Sequence, residues 1–213
     1  MQPRQVILLP NHIYHIYNHA NGRENLFENK ENYIFFMQRY AYFITPIADT
    51  FAYCQMPNHV HFMVRIKDIP DLQIANKNFL LAKEIPLENI KEIKEEDFSK
   101  FIARTFANLF SSYAQAFNIK TKRKGALFIP NFKRKEVTTQ TYYTKLIHYI
   151  HNNPVHHGFV TDPENWAYSS YNAYISDKIT LLAKEEVFSW FGDKNAFQDF
   201  HKIEKTDFSF DKF

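Results

Sequence analysis

The stretch FAYCQMPNHVHFMVRI, residues 51–66, decides the fold of this chain. It contains two short runs of apolar, aromatic and β-branched residues, FAYCQ and HVHFMVRI, with Met56-Pro57-Asn58 between them. Proline and asparagine favour turns, so a turn of this kind between two strand-forming runs is typical of an antiparallel pair. We therefore predict a β-hairpin over this stretch.

Toward the N-terminus, the sequence predicts one strand and one helix. Residues 12–20, HIYHIYNHA, are rich in β-branched and aromatic residues and predict a strand that ends at Asn21-Gly22. Residues 29–46 then place apolar side chains three and four apart, which is the period of an amphipathic helix, and Pro46 ends it.

Toward the C-terminus, the sequence predicts a long connection followed by helix, strand and helix. Residues 67–97 are acidic and interrupted by prolines, which indicates an insertion or connection that is partly helical. Apolar residues three and four apart predict a helix over 98–117, and residues 126–138 predict a strand or extended segment. A further helix over 138–153 is expected to stop at Pro154.

The predicted order of elements is strand, helix, strand, strand, helix, strand, helix. This order is typical of an α+β sandwich of the ferredoxin-like or RRM-like kind, with a mainly antiparallel sheet and helices on one face. We expect the other face to stay available for ligand. We also expect one domain over residues 1–175, including the acidic insertion at about 67–97, and a C-terminal extension over residues 176–213.

Composition excludes several classes of protein. Cys54 is the only cysteine among 213 residues, so no internal disulfide forms and a reducing cytoplasm fits. The apolar run from Val6 to Leu9 is too short for a signal peptide, and no run of about 18 apolar residues follows, so we expect neither export nor membrane insertion. The net charge is only +3, but seven basic residues and no acidic residue lie between Lys120 and Lys135. This segment predicts a local positive patch.

Two histidines of the predicted hairpin are candidate metal ligands. His59 and His61 lie two apart on a strand and therefore point to one face of the sheet, whereas Val60 and Phe62 point to the core. Such a pair can share one divalent cation, or it can simply belong to a polar face. The chain has ten histidines, so we attach no metal site to the other close pairs, His12 with His15 and His156 with His157.

Tyr149 and Asn153 form a second candidate pair on the last predicted helix. They are four residues apart and share one helix face, so the Asn153 amide oxygen could complete a metal site. The Tyr149 hydroxyl could then attack a phosphate polarised by the metal. From the residues alone, Tyr149 can equally be a packing tyrosine, and Asn153 can equally cap the helix before Pro154.

Several segments, in their order along the chain, resemble the REP-associated tyrosine transposases, a branch of the single-tyrosine HUH transposases. They are HIYHIYNHANGRENLF (12–27), CQMPNHVHFMV (54–64), LFIPNFKR (127–134), YIHNNPVHHGFV (149–160) and NWAYSSYNAY (165–174). A His-x-His pair is weak by itself, but MPNHVH together with YIHNNPV is highly specific. The resemblance covers roughly residues 10–175.

The resemblance implies a role for each candidate residue. His59 and His61 correspond to the two histidine ligands, Asn153 to a third ligand, and Tyr149 to the nucleophile. The implied cofactor is Mg²⁺ or Mn²⁺, and the implied reaction nicks and rejoins DNA through a 5′-phosphotyrosine link and a free 3′-hydroxyl. The implied partner is single-stranded DNA with hairpin or palindromic repeats, and we expect a monomer or homodimer.

The positive patch is the candidate DNA-binding surface. We expect its basic side chains to guide the DNA backbone: Lys122, Arg123, Lys124, Lys133, Arg134 and Lys135. Phe128 and Phe132 either stack on unpaired bases or fill the core. Tyr14, Tyr17 and Asn18 on the first strand are further possible DNA contacts.

Two other functions stay open at this point. One is a non-catalytic hairpin DNA-binding protein derived from a transposase, in which Tyr149 only stacks. The other is a metal-dependent hydrolase that uses activated water. The first predicts hairpin binding without cleavage, and the second predicts cleavage that does not need Tyr149.

Overall fold

The computed structural model describes residues 6–203, and its elements follow the predicted order. The strands are β1 (Ile13–His19), β2 (Ala48–Met56), β3 (His59–Ile66) and β4 (Lys133–Glu136). The helices are α1 (Lys30–Phe43), α2 (Ile69–Leu81), α3 (Phe98–Thr121), α4 (Gln140–His156), α5 (Tyr171–Ile175), α6 (Lys184–Phe191) and α7 (Lys194–Ile203). No helix within residues 6–203 is long and apolar enough to cross a membrane.

The four strands form one antiparallel sheet in the order β2-β3-β1-β4. The predicted hairpin is confirmed, because β2 and β3 pair from Met56 and His59 outward around the turn at Pro57-Asn58. The order places β1 and β3 in the centre, as in ferredoxin-like folds. The predicted α+β fold class is therefore confirmed.

The first face of the sheet packs against α1 and α3. Alternate residues of the central strands, including Ile16 of β1 and Phe62 of β3, are fully buried in this core. Phe128 and Phe132 belong to the same core and are each only 7% exposed. Of the two expectations for these phenylalanines, core packing is correct and base stacking is wrong.

The second face of the sheet is more covered than we expected. Helix α4 crosses it, and α5, α6 and α7 pack beside α4 to form a second apolar core. This cover is needed because β2 and β3 also present apolar side chains on this face, including Phe51, Cys54 and Met63. The chain beyond residue 175 contributes Val187 and Phe197 to this core.

Helix α4 continues two residues beyond the predicted stop at Pro154. It begins after Thr139, whose side chain accepts a hydrogen bond from Tyr142 N. Pro154 lies in the last turn, where its missing N–H removes a single helical hydrogen bond. Gly158, with φ of +71°, follows the helix and donates its N–H to the Val155 carbonyl.

Two other segments differ in extent from the sequence prediction. The connection over 67–97 is partly helical, as expected, but Pro70 lies in the first turn of α2, where proline is tolerated. The strand predicted over 126–138 is limited to β4, since Pro130 cannot donate to a strand partner and Asn131 has a positive φ of 62°.

Candidate active site

The candidate histidines lie at the centre of the second sheet face. His59 and His61 of β3 are only 2% and 0% exposed, and both point toward α4. Val60 and Phe62 point to the opposite core, as the strand period predicts.

Helix α4 brings the other two candidate residues against this pair. Asn153 Oδ1 lies 2.7 Å from His59 Nε2, so the amide contacts the strand and does not cap the helix. The Tyr149 ring meets His61 edge to face, with 5.6 Å between ring centroids. The four candidate residues therefore converge, although Asn153 and His59 are 94 residues apart in the chain.

Histidines that the sequence did not single out complete the surroundings. His15 Nε2 lies 3.0 Å from His61 Nδ1, and His19 stacks on His59 with 5.6 Å between ring centroids. The His157 ring lies 5.1 Å from that of His59, and the His156 ring lies 6.2 Å from that of Tyr149. His15, His156 and His157, to which the sequence assigned no metal site, therefore lie beside the candidate residues. The only signal for His15 was its position on the same strand face as Tyr17.

Burial keeps the central histidines neutral. The pKa of His59 is lowered to about 4, mainly by burial; the contact with Asn153 opposes this change, and His157 and His19 add to it. The pKa of His61 lies well below its ordinary value, first because of burial and then because of neighbouring histidines. Neutral imidazoles offer the lone pairs that metal ions bind.

The contacts of His59 fit a divalent cation. His59 Nδ1 lies 2.8 Å from Asn58 Oδ1 and Nε2 lies 2.7 Å from Asn153 Oδ1, so both ring nitrogens face amide oxygens. A neutral histidine carries one ring proton and can donate to only one of these oxygens, so its other nitrogen needs an amide turned to present N–H or a cation. Two ligand atoms that share one Mg²⁺ at about 2.1 Å lie roughly 3 Å apart, which is close to the spacing of Nε2 and Oδ1.

Asn153 is essential to the assignment of this site as a candidate metal centre. Within residues 6–203, no three His, Cys, Asp or Glu side chains are arranged to hold a metal ion. The candidate centre is therefore a pair of histidines completed by an amide. Such a site leaves coordination positions for water and phosphate oxygens, which suits Mg²⁺ or Mn²⁺.

The predicted basic patch divides between the two faces of the sheet. Lys133 pairs with Tyr17 and Lys135 pairs with His15 across β1 and β4, so both lysines share the face of the candidate site. Lys135 also lies over the Tyr142 ring of α4, with Nζ 5.2 Å from its centroid. Arg134 points to the other face, where Nε donates to the Val6 carbonyl.

The loop between α3 and β4 uses one of its basic residues for structure. Arg123 pairs with Glu24 and donates to the backbone carbonyls of Gly125 and Ala126. Lys122 and Lys124 are exposed. The structure therefore brings Lys133 and Lys135 to the candidate site and does not bring Arg123 or Arg134 there.

The candidate DNA contacts on β1 also divide by face. Tyr14 is fully buried in the first core, so that expectation is wrong, and Asn18 is largely buried on the same face. Tyr17 lies on the second face, where its ring stacks on His15 at 4.7 Å. Of these three residues, Tyr17 alone lies beside the candidate metal ligands.

The fold and the site together define an α+β protein in which a ferredoxin-like sheet presents histidines to a helix that carries tyrosine and asparagine. Among solved structures, this chain is similar to a REP-associated tyrosine transposase bound to a REP hairpin. The TM-score is 0.59 at 15% sequence identity, and the match covers 83% of this chain and 87% of that one. At this identity the likeness shows the fold alone. The matched protein belongs to the same family that the sequence motifs resemble. No family model and no curated protein matches the chain.

Proposed function

We propose that this protein is a metal-dependent DNA strand transferase that nicks and rejoins single-stranded DNA bearing a hairpin. The observation that carries the proposal is the convergence of Tyr149 and Asn153 of α4 on His59 and His61 of β3. Hairpin DNA is the proposed partner because the similar solved structure is bound to a REP hairpin.

His59, His61 and Asn153 are the residues that would hold Mg²⁺ or Mn²⁺. When bound, the cation would polarise the scissile phosphate and offset its negative charge. The three side chains are neutral, so they do not repel the DNA backbone. Their burial between β3 and α4 excludes bulk water and strengthens their electrostatic interaction with a bound phosphate.

Tyr149 is the proposed nucleophile. Its phenol oxygen forms a bond to phosphorus as the bond from phosphorus to the 3′ oxygen breaks, which leaves a 5′-phosphotyrosine and a 3′-hydroxyl. The phenol proton passes to water, and the departing 3′ oxygen takes up a proton. A 3′-hydroxyl, of the same strand or of another, can then attack the phosphotyrosine and reverse the step. Because the phosphate bond is exchanged and not hydrolysed, the joining reaction needs no ATP.

Lys133 and Lys135 are the proposed contacts to the DNA backbone. They lie on the strand next to β1, on the same sheet face as His61. Phosphate contacts of this kind fix the position of the DNA without reading its sequence.

The test is covalent capture of a single-stranded hairpin substrate in the presence of Mn²⁺. We expect a protein–DNA adduct that resists denaturing electrophoresis and is absent in Tyr149→Phe, because the variant lacks the attacking oxygen. Tyr143→Phe is the matched control, since Tyr143 lies on the same helix but packs on Trp190, with 4.9 Å between ring centroids. Hairpins to be tested as substrates would be sought in repeats that flank the gene. An adduct that persists in Tyr149→Phe would contradict the proposal.

A second candidate function is hairpin binding without catalysis. Tyr149 is largely buried, which would also suit a tyrosine that only packs beside its neighbours. This function predicts hairpin binding that survives both Tyr149→Phe and chelation, with no cleaved product. The capture experiment distinguishes the two functions directly.

A further inference from the structure

We infer that His15 is a positioning residue of the candidate metal site: it accepts a hydrogen bond from His61 Nδ1 and so fixes the tautomer in which His61 Nε2 offers its lone pair to the cation. The inference rests on the proposed function, because it takes His61 to be a metal ligand. His15 itself would contact neither metal nor DNA.

The contact between the two rings is enclosed. His15 Nε2 and His61 Nδ1 lie 3.0 Å apart, and the residues are 1% and 0% exposed. The rings are close to parallel, at 24° with 5.2 Å between centroids, and Tyr17 stacks on both of them. Water therefore does not compete for this hydrogen bond, so the partner of His61 Nδ1 is set by the protein.

The hydrogen bond admits two tautomer pairs with opposite consequences. If His15 Nε2 carries the proton, His61 Nδ1 accepts the hydrogen bond. The single ring proton of His61 then lies on Nε2, where it blocks metal binding. If His61 Nδ1 carries the proton, Nε2 has a free lone pair. Metal binding through Nε2 is therefore compatible with the second pair alone, and it requires His15 to be a neutral acceptor.

The surroundings of His15 favour that neutral acceptor. The side chain is buried, and Lys135 occupies the directly opposite position on β4. Burial and a neighbouring ammonium group both oppose a positive charge on the ring. A protonated His15 would carry a hydrogen on Nε2 and could not accept from His61.

His59 has a partner of the same kind. Its Nδ1 lies 2.8 Å from Asn58 Oδ1, which is also an uncharged acceptor. Metal-bound histidines often donate to carboxylates, which raise their basicity and add negative charge to the site. Uncharged acceptors orient the rings while leaving the charge of the cation available to an anionic phosphate.

The experiment compares His15→Leu, which removes the acceptor, with His15→Gln, whose side-chain oxygen can replace it. Mn²⁺ binding is measured on the full-length protein without DNA, by electron paramagnetic resonance. We expect His15→Leu to weaken Mn²⁺ binding by about 10- to 100-fold, as for other partners of metal-bound histidines. We expect His15→Gln to recover most of that loss. The matched control is His12→Leu, at an exposed histidine just before β1 that pairs with Glu136.

A second measurement needs no variant. Nitrogen-15 NMR of the metal-free protein reports which ring nitrogen of His61 carries the proton, and we expect Nδ1. A proton on Nε2 would overturn the inference even if His15→Leu does not fold.

The outcomes separate this inference from the proposed function. Wild-type Mn²⁺ affinity in a folded His15→Leu, with loss of binding in His61→Ala, would overturn the role of His15 and leave the metal site intact. Unchanged binding in His61→Ala, or no binding by the wild type, would overturn both. Loss in His15→Leu with recovery in His15→Gln supports the inference, whatever the DNA reaction proves to be.

Discussion

Ser170 lies at a buried junction between the sheet and the helix that carries Tyr149. Its hydroxyl accepts a hydrogen bond from Tyr53 N at 2.9 Å and lies 2.7 Å from His151 Nε2. His151 Nδ1 in turn lies 2.9 Å from His201 Nε2, and His201 Nδ1 donates to the Phe197 carbonyl at 2.8 Å. A continuous series of hydrogen bonds therefore connects β2, α4 and α7.

Ser170→Ala should lower the free energy of unfolding by about 1–3 kcal/mol, because it leaves buried polar groups of His151 and Tyr53 without this partner. Urea unfolding measures the change. The control is Ser189→Ala, at an exposed serine of α6 whose hydroxyl donates to the Glu186 carbonyl of the same helix, and it should change the free energy by less than about 0.5 kcal/mol. Equal effects of the two substitutions would argue against a structural role for this junction.

At the scale of the element, β4 shows how strand alternation divides a run of like charges. Lys133, Arg134 and Lys135 are consecutive in sequence, yet the two lysines share the face of His61 while Arg134 packs on Phe132 on the other face. Because side chains alternate along a strand, a basic run cannot place all of its charges on one surface. Of this run, only the two lysines lie on the sheet face of the candidate site.

Replacing Lys133 and Lys135 with alanine should weaken hairpin binding and reduce its dependence on salt. Two lost contacts to single-stranded phosphates correspond to a decrease of about 1.4 in the slope of log affinity against log salt. Filter binding over a series of salt concentrations measures the slope. The matched control is the double variant Lys77→Ala with Lys83→Ala, which removes one exposed lysine of α2 and another just after this helix. If both double variants change the slope equally, β4 is not the DNA-binding strand.

At the scale of the whole molecule, the second core contains buried histidines whose neutrality depends on the fold. His148 is 1% exposed, and its pKa is lowered from an ordinary 6.5 to about 4, first by burial and then by His156. Burial likewise lowers the pKa of His201 to about 3. The unfolded chain binds protons at these residues below pH 6.5, whereas the folded protein does not bind them until pH 4 or 3. Stability is therefore fully present above pH 6.5 and is lost as the pH falls.

Each such histidine contributes about 1.4 kcal/mol per pH unit to the slope of the unfolding free energy through this range. His148→Gln removes one titrating group, so its slope between about pH 6 and 4.5 should be smaller than that of the wild type by about this amount. Urea unfolding at a series of pH values gives both slopes. Parallel curves for the two proteins would show that His148 is not held neutral by the fold.

Local periodicity, which the sequence alone determines, groups the candidate residues on common faces without assigning their roles. The spacing of His59 and His61 defines one strand face, and the spacing of Tyr149 and Asn153 defines one helix face. The hairpin and the order of elements follow in the same way, because turn residues and apolar periods act over a few neighbouring residues. These features can be predicted without knowing which elements pack against each other.

Other features depend on pairing between distant segments and are decided by the tertiary structure alone. His15 comes beside His61 because β1 pairs with β3, and Lys135 comes beside His15 because β4 pairs with β1. The second core forms because α5–α7 fold back over apolar positions of β2 and β3, which covers part of a face that local patterns left open. Register and packing arise between residues tens of positions apart, so no local period reveals them. The sequence thus determined the residues available for chemistry, and the tertiary structure decided which neighbours hold them in place.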